Sequence, residues 1–240
     1  MGNPVLERIS TRIFADGADL RGILALAADP RIEGFTTNPT LMRKAGLTRY
    51  AEFARRLLEE VTRHPISFEV FADEPREIRR QARLISSWGE NVYVKVPVTT
   101  TRGESLAPLV RELSEGGVKV NVTALFTVAQ VELVTAAVQD GAPSYISVFA
   151  GRIADAGVDP VPIMAEAVEV MARAPRSELI WASPREILNL VQADEVGCHI
   201  ITVTHDLLKK LGCLGKSLEQ YSLETVCMFH DDAVAAGFTL

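Results

Sequence analysis

Short runs rich in β-branched residues alternate with longer amphipathic segments from one end of this chain to the other, and that rhythm predicts parallel βα units. The expected strands are Thr11–Asp16, Glu33–Thr37, Ile66–Phe71, Val92–Val98, Val118–Thr123, Ser144–Phe149, Glu178–Ser183 and Cys198–Val203. Between them lie segments such as Tyr50–Thr62, Pro75–Trp88 and Pro160–Ala174, whose apolar residues recur three and four apart, as a half-buried helix requires. Eight strands with intervening helices in 240 residues fit an α/β fold, a single (β/α)8 TIM barrel over residues 1–240. A doubly wound sheet usually has fewer strands and opens on a Gly-rich dinucleotide turn, which this sequence lacks. Gly212–Gly215 (GCLG) has neither the lysine nor the Ser/Thr of a phosphate loop and reads as a helix stop, so no nucleotide is implied. Lys216 to about Ala236 then reads as a further helix, making 216–240 a C-terminal helical extension that could cap the barrel or pack on a neighbouring copy. No repeat, low-complexity tract or linker supports a second domain.

The charge balance narrows the partners. Against 25 Lys plus Arg stand 31 Asp plus Glu, a formal net charge of −6 with no basic block able to track a phosphate backbone. Nucleic acid and anionic membranes are therefore not expected partners. Apolar stretches are broken by charge, Gly or Pro, and the N-terminus (MGNPVLERIS) lacks an apolar signal core, so a cytoplasmic protein is expected. Cys198, Cys213 and Cys227 show no CxxC or metal-ligand spacing and are expected to be reduced; His199 and His205 stand at no chelating interval. No metal or other cofactor is expected.

Strand parity gives each side chain a direction, because in a barrel one face points to the axis and the other is covered by helices. In Val92–Val98 the four valines share the helix-facing side, which turns Tyr93, Lys95 and Pro97 inward. The same alternation turns Ser67, Glu69 and Phe71 inward, then Lys119, Asn121 and Thr123, and in the first strand Arg12, Phe14 and Asp16. An ionic and amide cluster inside a barrel core that is normally aliphatic is either an inert ion-pair network or a site. Asp16, Lys95, Asn121 and Thr123 fall late in their strands, at the rim where barrel enzymes keep their chemistry, which favours a site. Asp16 could instead cap a helix beginning near Ala18, and Asn38 could cap one beginning at Pro39.

Five stretches, Gly34–Thr40 (GFTTNPT), VYVKVPVT ending at Thr99, VNVTALFTVAQ ending at Gln130, YISVFAGRI ending at Ile153 and WASPRE ending at Glu186, together resemble the transaldolase family, in the family's order and over nearly the whole chain. The resemblance implies a metal-free barrel in which a Schiff-base lysine, here Lys95, transfers a three-carbon dihydroxyacetone unit between sugar phosphates. It gives Asp16 the proton transfers at the cleaved bond and Glu69 those of imine formation through a water. Thr36, Asn38, Asn121 and Thr123 would hold hydroxyls and that water, and Arg152, Ser183 and Arg185 the substrate phosphate. Ser147 and Phe149 would line the pocket between the phosphate and the lysine. The barrel is also similar to fructose-6-phosphate aldolases, which release free dihydroxyacetone and are nearer this chain in length. Those typically carry glutamine and tyrosine where this chain has Glu69 and Phe149, which favours transfer. A non-catalytic barrel that binds sugar phosphates is the alternative from another class. Compact members of the family form rings through the final helix, so a homo-oligomer is expected.

Overall fold

Eight parallel strands pair in sequence order and close on themselves: β1 (Arg12–Asp16), β2 (Ile32–Thr36), β3 (Ile66–Glu69), β4 (Val92–Pro97), β5 (Val120–Leu125), β6 (Ser144–Val148), β7 (Ser177–Trp181) and β8 (Ile200–Thr204), which pairs with β1. This is the (β/α)8 TIM barrel that the alternation predicts, seen in a computed structural model that describes residues 5–239. Residues 1–4, part of the stretch read for a signal core, and Leu240, the end of the 216–240 extension, lie outside the described residues. The helices are α1 (Leu20–Ala27), α2 (Pro39–Lys44), α3 (Tyr50–Glu60), α4 (Pro75–Ser86), α5 (Ala107–Glu115), α6 (Val128–Val138), α7 (Ala150–Asp155), α8 (Pro160–Met171), α9 (Leu188–Glu195), α10 (His205–Leu208) and α11 (Leu218–Ala235). No helix among the described residues is long and apolar enough to cross a membrane.

Parity behaves as expected in the strands that bear on the site. Val92, Val94 and Val96 of β4 are buried in the continuous apolar layer between strands and helices, where Phe35, Phe68, Val120 and Val122 also lie. A separate, smaller cluster of Phe14, Tyr145, Ile180, Ala182 and Ile200 fills the barrel axis. Burial of such side chains is worth roughly 1.5–3 kcal/mol each. At the N-terminal mouth Tyr93 stacks on Tyr145 at 4.0 Å between ring centroids, and Arg12 forms an ion pair with Glu178.

Each expected strand shifts by one or two residues at one end or both, so that Phe149, Ser183 and Cys198 fall outside the sheet, and two of the shifts change where a side chain points. The third stops at Glu69, so Phe71 is not an inward residue; it is 54% exposed and stacks on Tyr50 at 4.6 Å. The fifth begins at Val120 rather than Val118, because Gly116 and Gly117 break the chain just before it. Lys119 therefore stays outside the strand and donates to the Glu90 carbonyl at 2.7 Å. α11 buries none of its described residues, so it does not cap the barrel.

Gly34 in β2 shows how tightly the axis is filled: a Cβ built there would meet the Phe14 ring at 2.6 Å. Phe14 is fully buried and cannot retreat. Gly34→Ala is expected to lower stability by about 1–3 kcal/mol through overpacking, measured by urea unfolding. A midpoint equal to wild type would mean that the axis is looser than this contact requires.

Candidate active site

β3 and β4 are in register so that Glu69 pairs with Lys95, and β4 and β5 so that Lys95 pairs with Asn121. Three consecutive strands thus put an acid, an amine and an amide at one level, near the C-terminal ends. Lys95 Nζ lies 2.9 Å from Glu69 Oε1, and its aligned hydrogen bond goes to the Thr37 carbonyl at 2.6 Å. Both side chains are nearly dry, 10% and 7% exposed. Glu69 Oε2 accepts from the Thr37 hydroxyl at 3.0 Å, while Oε1 has no aligned donor. Burial pushes the Glu69 carboxyl above its ordinary value, against the pull of Lys95 and Thr37.

Asp16 closes β1 on the same level, in register with Thr36. Its Oδ1 accepts from the Thr36 hydroxyl at 2.8 Å and its Oδ2 from Asn38 Nδ2 at 3.0 Å. Desolvation holds this carboxyl above its usual value too, although Lys95, Thr36 and Asn38 oppose it. Asp16 does not cap the next helix; Asp19 does, accepting from the Gly22 amide, and the helix starts at Leu20 rather than near Ala18. Asn38 does both jobs, because its Oδ1 also caps α2 through the Leu41 amide at 2.9 Å.

Asn121 donates to the Ser67 hydroxyl at 3.0 Å and accepts from Ser147 at 2.7 Å, so Ser147 fixes the amide's orientation. Thr123 Oγ1 is buried without a partner. On the opposite part of the rim Phe149 precedes α7, with the Arg152 guanidinium 5.2 Å from its ring centre. Ser183 is in the left-handed region at φ +62°, and its carbonyl passes so near Gly151 that a Cβ there would lie 1.6 Å from it. Pro184 does not begin the following helix, as its place after the strand suggests; α9 starts only at Leu188. Arg185 is bound by two nitrogens to the Asp155 carboxylate, which it holds below the ordinary range. Thr36 and Asn38 therefore gather around Asp16, Asn121 lies beside Lys95 with Thr123 two residues further along the same strand, and Arg152, Ser183 and Arg185 form a separate rim cluster.

Three contacts escape sequence reasoning. Thr37 has the wrong parity, yet β2 ends at Thr36 and frees its carbonyl and hydroxyl to reach Lys95 and Glu69. Thr202 of β8 meets the Thr36 hydroxyl behind Asp16. Tyr50, the first residue of α3, hydrogen-bonds the Glu69 backbone. Parity signals Thr202, as an inward polar residue of the eighth strand; nothing signals the other two.

The family model for transaldolase/fructose-6-phosphate aldolase matches residues 13–239. The chain belongs to that family. It is 33% identical over 201 residues to a protein named "Probable transaldolase" from Dehalococcoides mccartyi, covering 83% of this chain and 89% of that one. It is 34% identical over 201 residues to "Probable transaldolase 2" from Listeria monocytogenes, covering 83% and 88%. Among solved structures, an HpcH/HpaI aldolase/citrate lyase family protein from Burkholderia cenocepacia superposes with a TM-score of 0.59 at 16% identity, over 94% of this chain and 99% of that one, which is likeness of fold alone.

In this transaldolase/aldolase family member the Asp16 carboxyl is tuned by Asn38. Asn38→Asp keeps the helix cap, replaces an amide donor by a second negative charge, and is expected to raise the Asp16 pKa further at some cost in stability near neutral pH. Carboxyl-carbon NMR titration reads the shift; an unmoved or lowered Asp16 would contradict the hydrogen bond.

Proposed function

We propose that this chain is a transaldolase working through a Schiff base on Lys95. It moves a dihydroxyacetone unit from fructose 6-phosphate or sedoheptulose 7-phosphate to erythrose 4-phosphate or glyceraldehyde 3-phosphate, as in the pentose phosphate pathway. The observation that carries this reading is the dry Lys95–Glu69 pair at the C-terminal level of the barrel, with Asp16 a third titratable group on the same level. Attack of the Nζ lone pair on the ketone carbon gives a carbinolamine, which loses water to form the imine. Glu69 Oε1, free of an aligned donor, is suited to pass protons in that step through a water held by Thr123. Asp16 takes the proton from the hydroxyl at the bond that breaks, the electron pair flows into the imine as an enamine, and the first aldehyde leaves. The enamine carbon then attacks the acceptor aldehyde, Asp16 returns the proton, and hydrolysis frees Lys95. No cofactor takes part.

Phosphate recognition falls to Arg152, Ser183 and Arg185, with Phe149 between that cluster and the lysine. Transfer is preferred over release of free dihydroxyacetone because Phe149 brings no hydroxyl to protonate the enamine or activate water. The names of the curated relatives support the same choice. A cytoplasmic setting fits this chemistry.

A homo-oligomer is part of the reading. α11 leaves Leu223, Val226, Phe229 and Val234 exposed, and a second copy of the chain is the surface proposed to cover them. Phe229→Asp is expected to lower the sedimentation mass of the purified protein; a monomeric wild type would end this part of the proposal.

Borohydride added with fructose 6-phosphate should leave an adduct on Lys95, located by peptide mass mapping, and turnover should require erythrose 4-phosphate. No adduct means a binding barrel, and turnover without acceptor means an aldolase. Both carboxyls titrate above the ordinary carboxylate value of about 4, so activity that needs a carboxylate is lost as pH falls through those raised values. The acid limb of kcat/KM, which reports the free enzyme, should therefore lie above that value, and Glu69→Gln should cost about 10²–10⁴-fold in kcat.

A further inference from the structure

β2 and β3 pair only through Phe35 with Ile66 and Thr36 with Ser67 before β2 leaves the sheet for α2. The ladder between them runs through the Phe35 amide to the Pro65 carbonyl and the Thr37 amide to the Ser67 carbonyl. Continued by its period of two, it would need an amide at position 39 to reach the Glu69 carbonyl, and an acceptor at Thr37 for the Glu69 amide. Residue 39 is proline and has no amide hydrogen, and the Thr37 carbonyl accepts from Lys95 Nζ at 2.6 Å instead of from the Glu69 amide. The Glu69 backbone would thus lose both partners in a buried place, a cost of about 1–3 kcal/mol for each polar group.

One phenol fills both vacancies. Tyr50 Oη accepts from the Glu69 amide at 2.7 Å and donates to the Glu69 carbonyl at 3.3 Å. Its ring is fixed by Phe71 at 4.6 Å, Trp88 at 5.9 Å and Phe68 at 6.2 Å. We infer that Tyr50 is a positioning residue, whose hydroxyl completes the β2–β3 seam and so leaves the Thr37 carbonyl free to hold Lys95 beside Glu69. Burial and the nearby Glu69 carboxylate keep the phenol protonated, as a group that must donate and accept at once requires.

This inference rests on Lys95 being the imine-forming residue, and the test separates the two. Tyr50→Phe keeps the packed ring and removes the hydroxyl; the Glu69 amide then competes for the Thr37 carbonyl. Expected are a fall in kcat of about tenfold or more with KM changed little, an acid limb displaced from wild type, and slower borohydride trapping of Lys95 with fructose 6-phosphate. Val138→Ala, a buried substitution in α6, which packs on α5, α8, β5 and β6 and not on β2 or β3, is the control for lost stability alone and should keep kcat and pH profile. Wild type that fails to trap ends the Schiff-base reading. Wild type that traps, beside a Tyr50→Phe protein matching the control in kcat, pH profile and trapping rate, ends only the role of Tyr50. Should Tyr50→Phe not fold, 3-fluorotyrosine placed at position 50 keeps the shape and weakens the phenol as acceptor. A displaced pH profile then supports the inference, and an unmoved one overturns it.

Discussion

Two opposite charges stand side by side in the dry upper half of a barrel, and most of the polar architecture described above serves to keep them there. Withdrawing an ion pair from water costs on the order of several kcal/mol per ion, repaid only when geometry and further hydrogen bonds are good. Lys95 is accordingly held by Glu69 and the Thr37 carbonyl, Glu69 by the Thr37 hydroxyl, and Asn121 is locked by Ser67 and Ser147 on the next strand. That investment is poor value for stability alone, since a buried pair seldom outperforms apolar residues of similar volume.

The opposite mouth supplies the comparison. Arg12 and Glu178 also pair inside the strand cylinder, and parity placed Arg12 inward as surely as it placed Lys95. Their side chains are 31% and 35% exposed, against 10% and 7% for Lys95 and Glu69, and the stacked tyrosines close that end. A partly exposed pair over an aromatic plug needs no such set of partners. Solvation separates the two clusters: water shares the charge at one end, while at the other the protein must hold both charges with its own dipoles.

How far the sequence could be read follows from the same geometry. Eight strands, their order and the inward placement of Asp16, Glu69, Lys95 and Asn121 were legible because alternation is rigid wherever a strand stays in the sheet. Parity loses its hold where a strand leaves the sheet. Thr37 lies one residue beyond β2, so parity assigned it away from the lysine that its carbonyl binds. Parity turns Phe71 to the axis because the apolar run continues past Glu69, whereas the hydrogen-bonded ladder does not. Tyr50 reads as one more apolar residue opening an amphipathic helix. No local pattern can show that its hydroxyl enters a seam left open by a proline eleven residues earlier.

The rim cluster follows a different logic from the lysine site. Lys95, Glu69 and Asn121 sit on strands, whose neighbours fix them on both sides. Arg152 lies on a short helix, and Ser183 and Arg185 on a loop with one residue in the left-handed region. Arg185 grips the Asp155 carboxylate with two nitrogens, the planar geometry a guanidinium also offers to a phosphate. Both side chains of that pair are about half exposed, so water shares the charges and releasing the pair costs little. Under the proposed reading Asp155 occupies the guanidinium until a sugar phosphate displaces it. The chemistry-bearing groups are then held permanently in place, and the substrate-holding groups are held by an interaction weak enough to exchange.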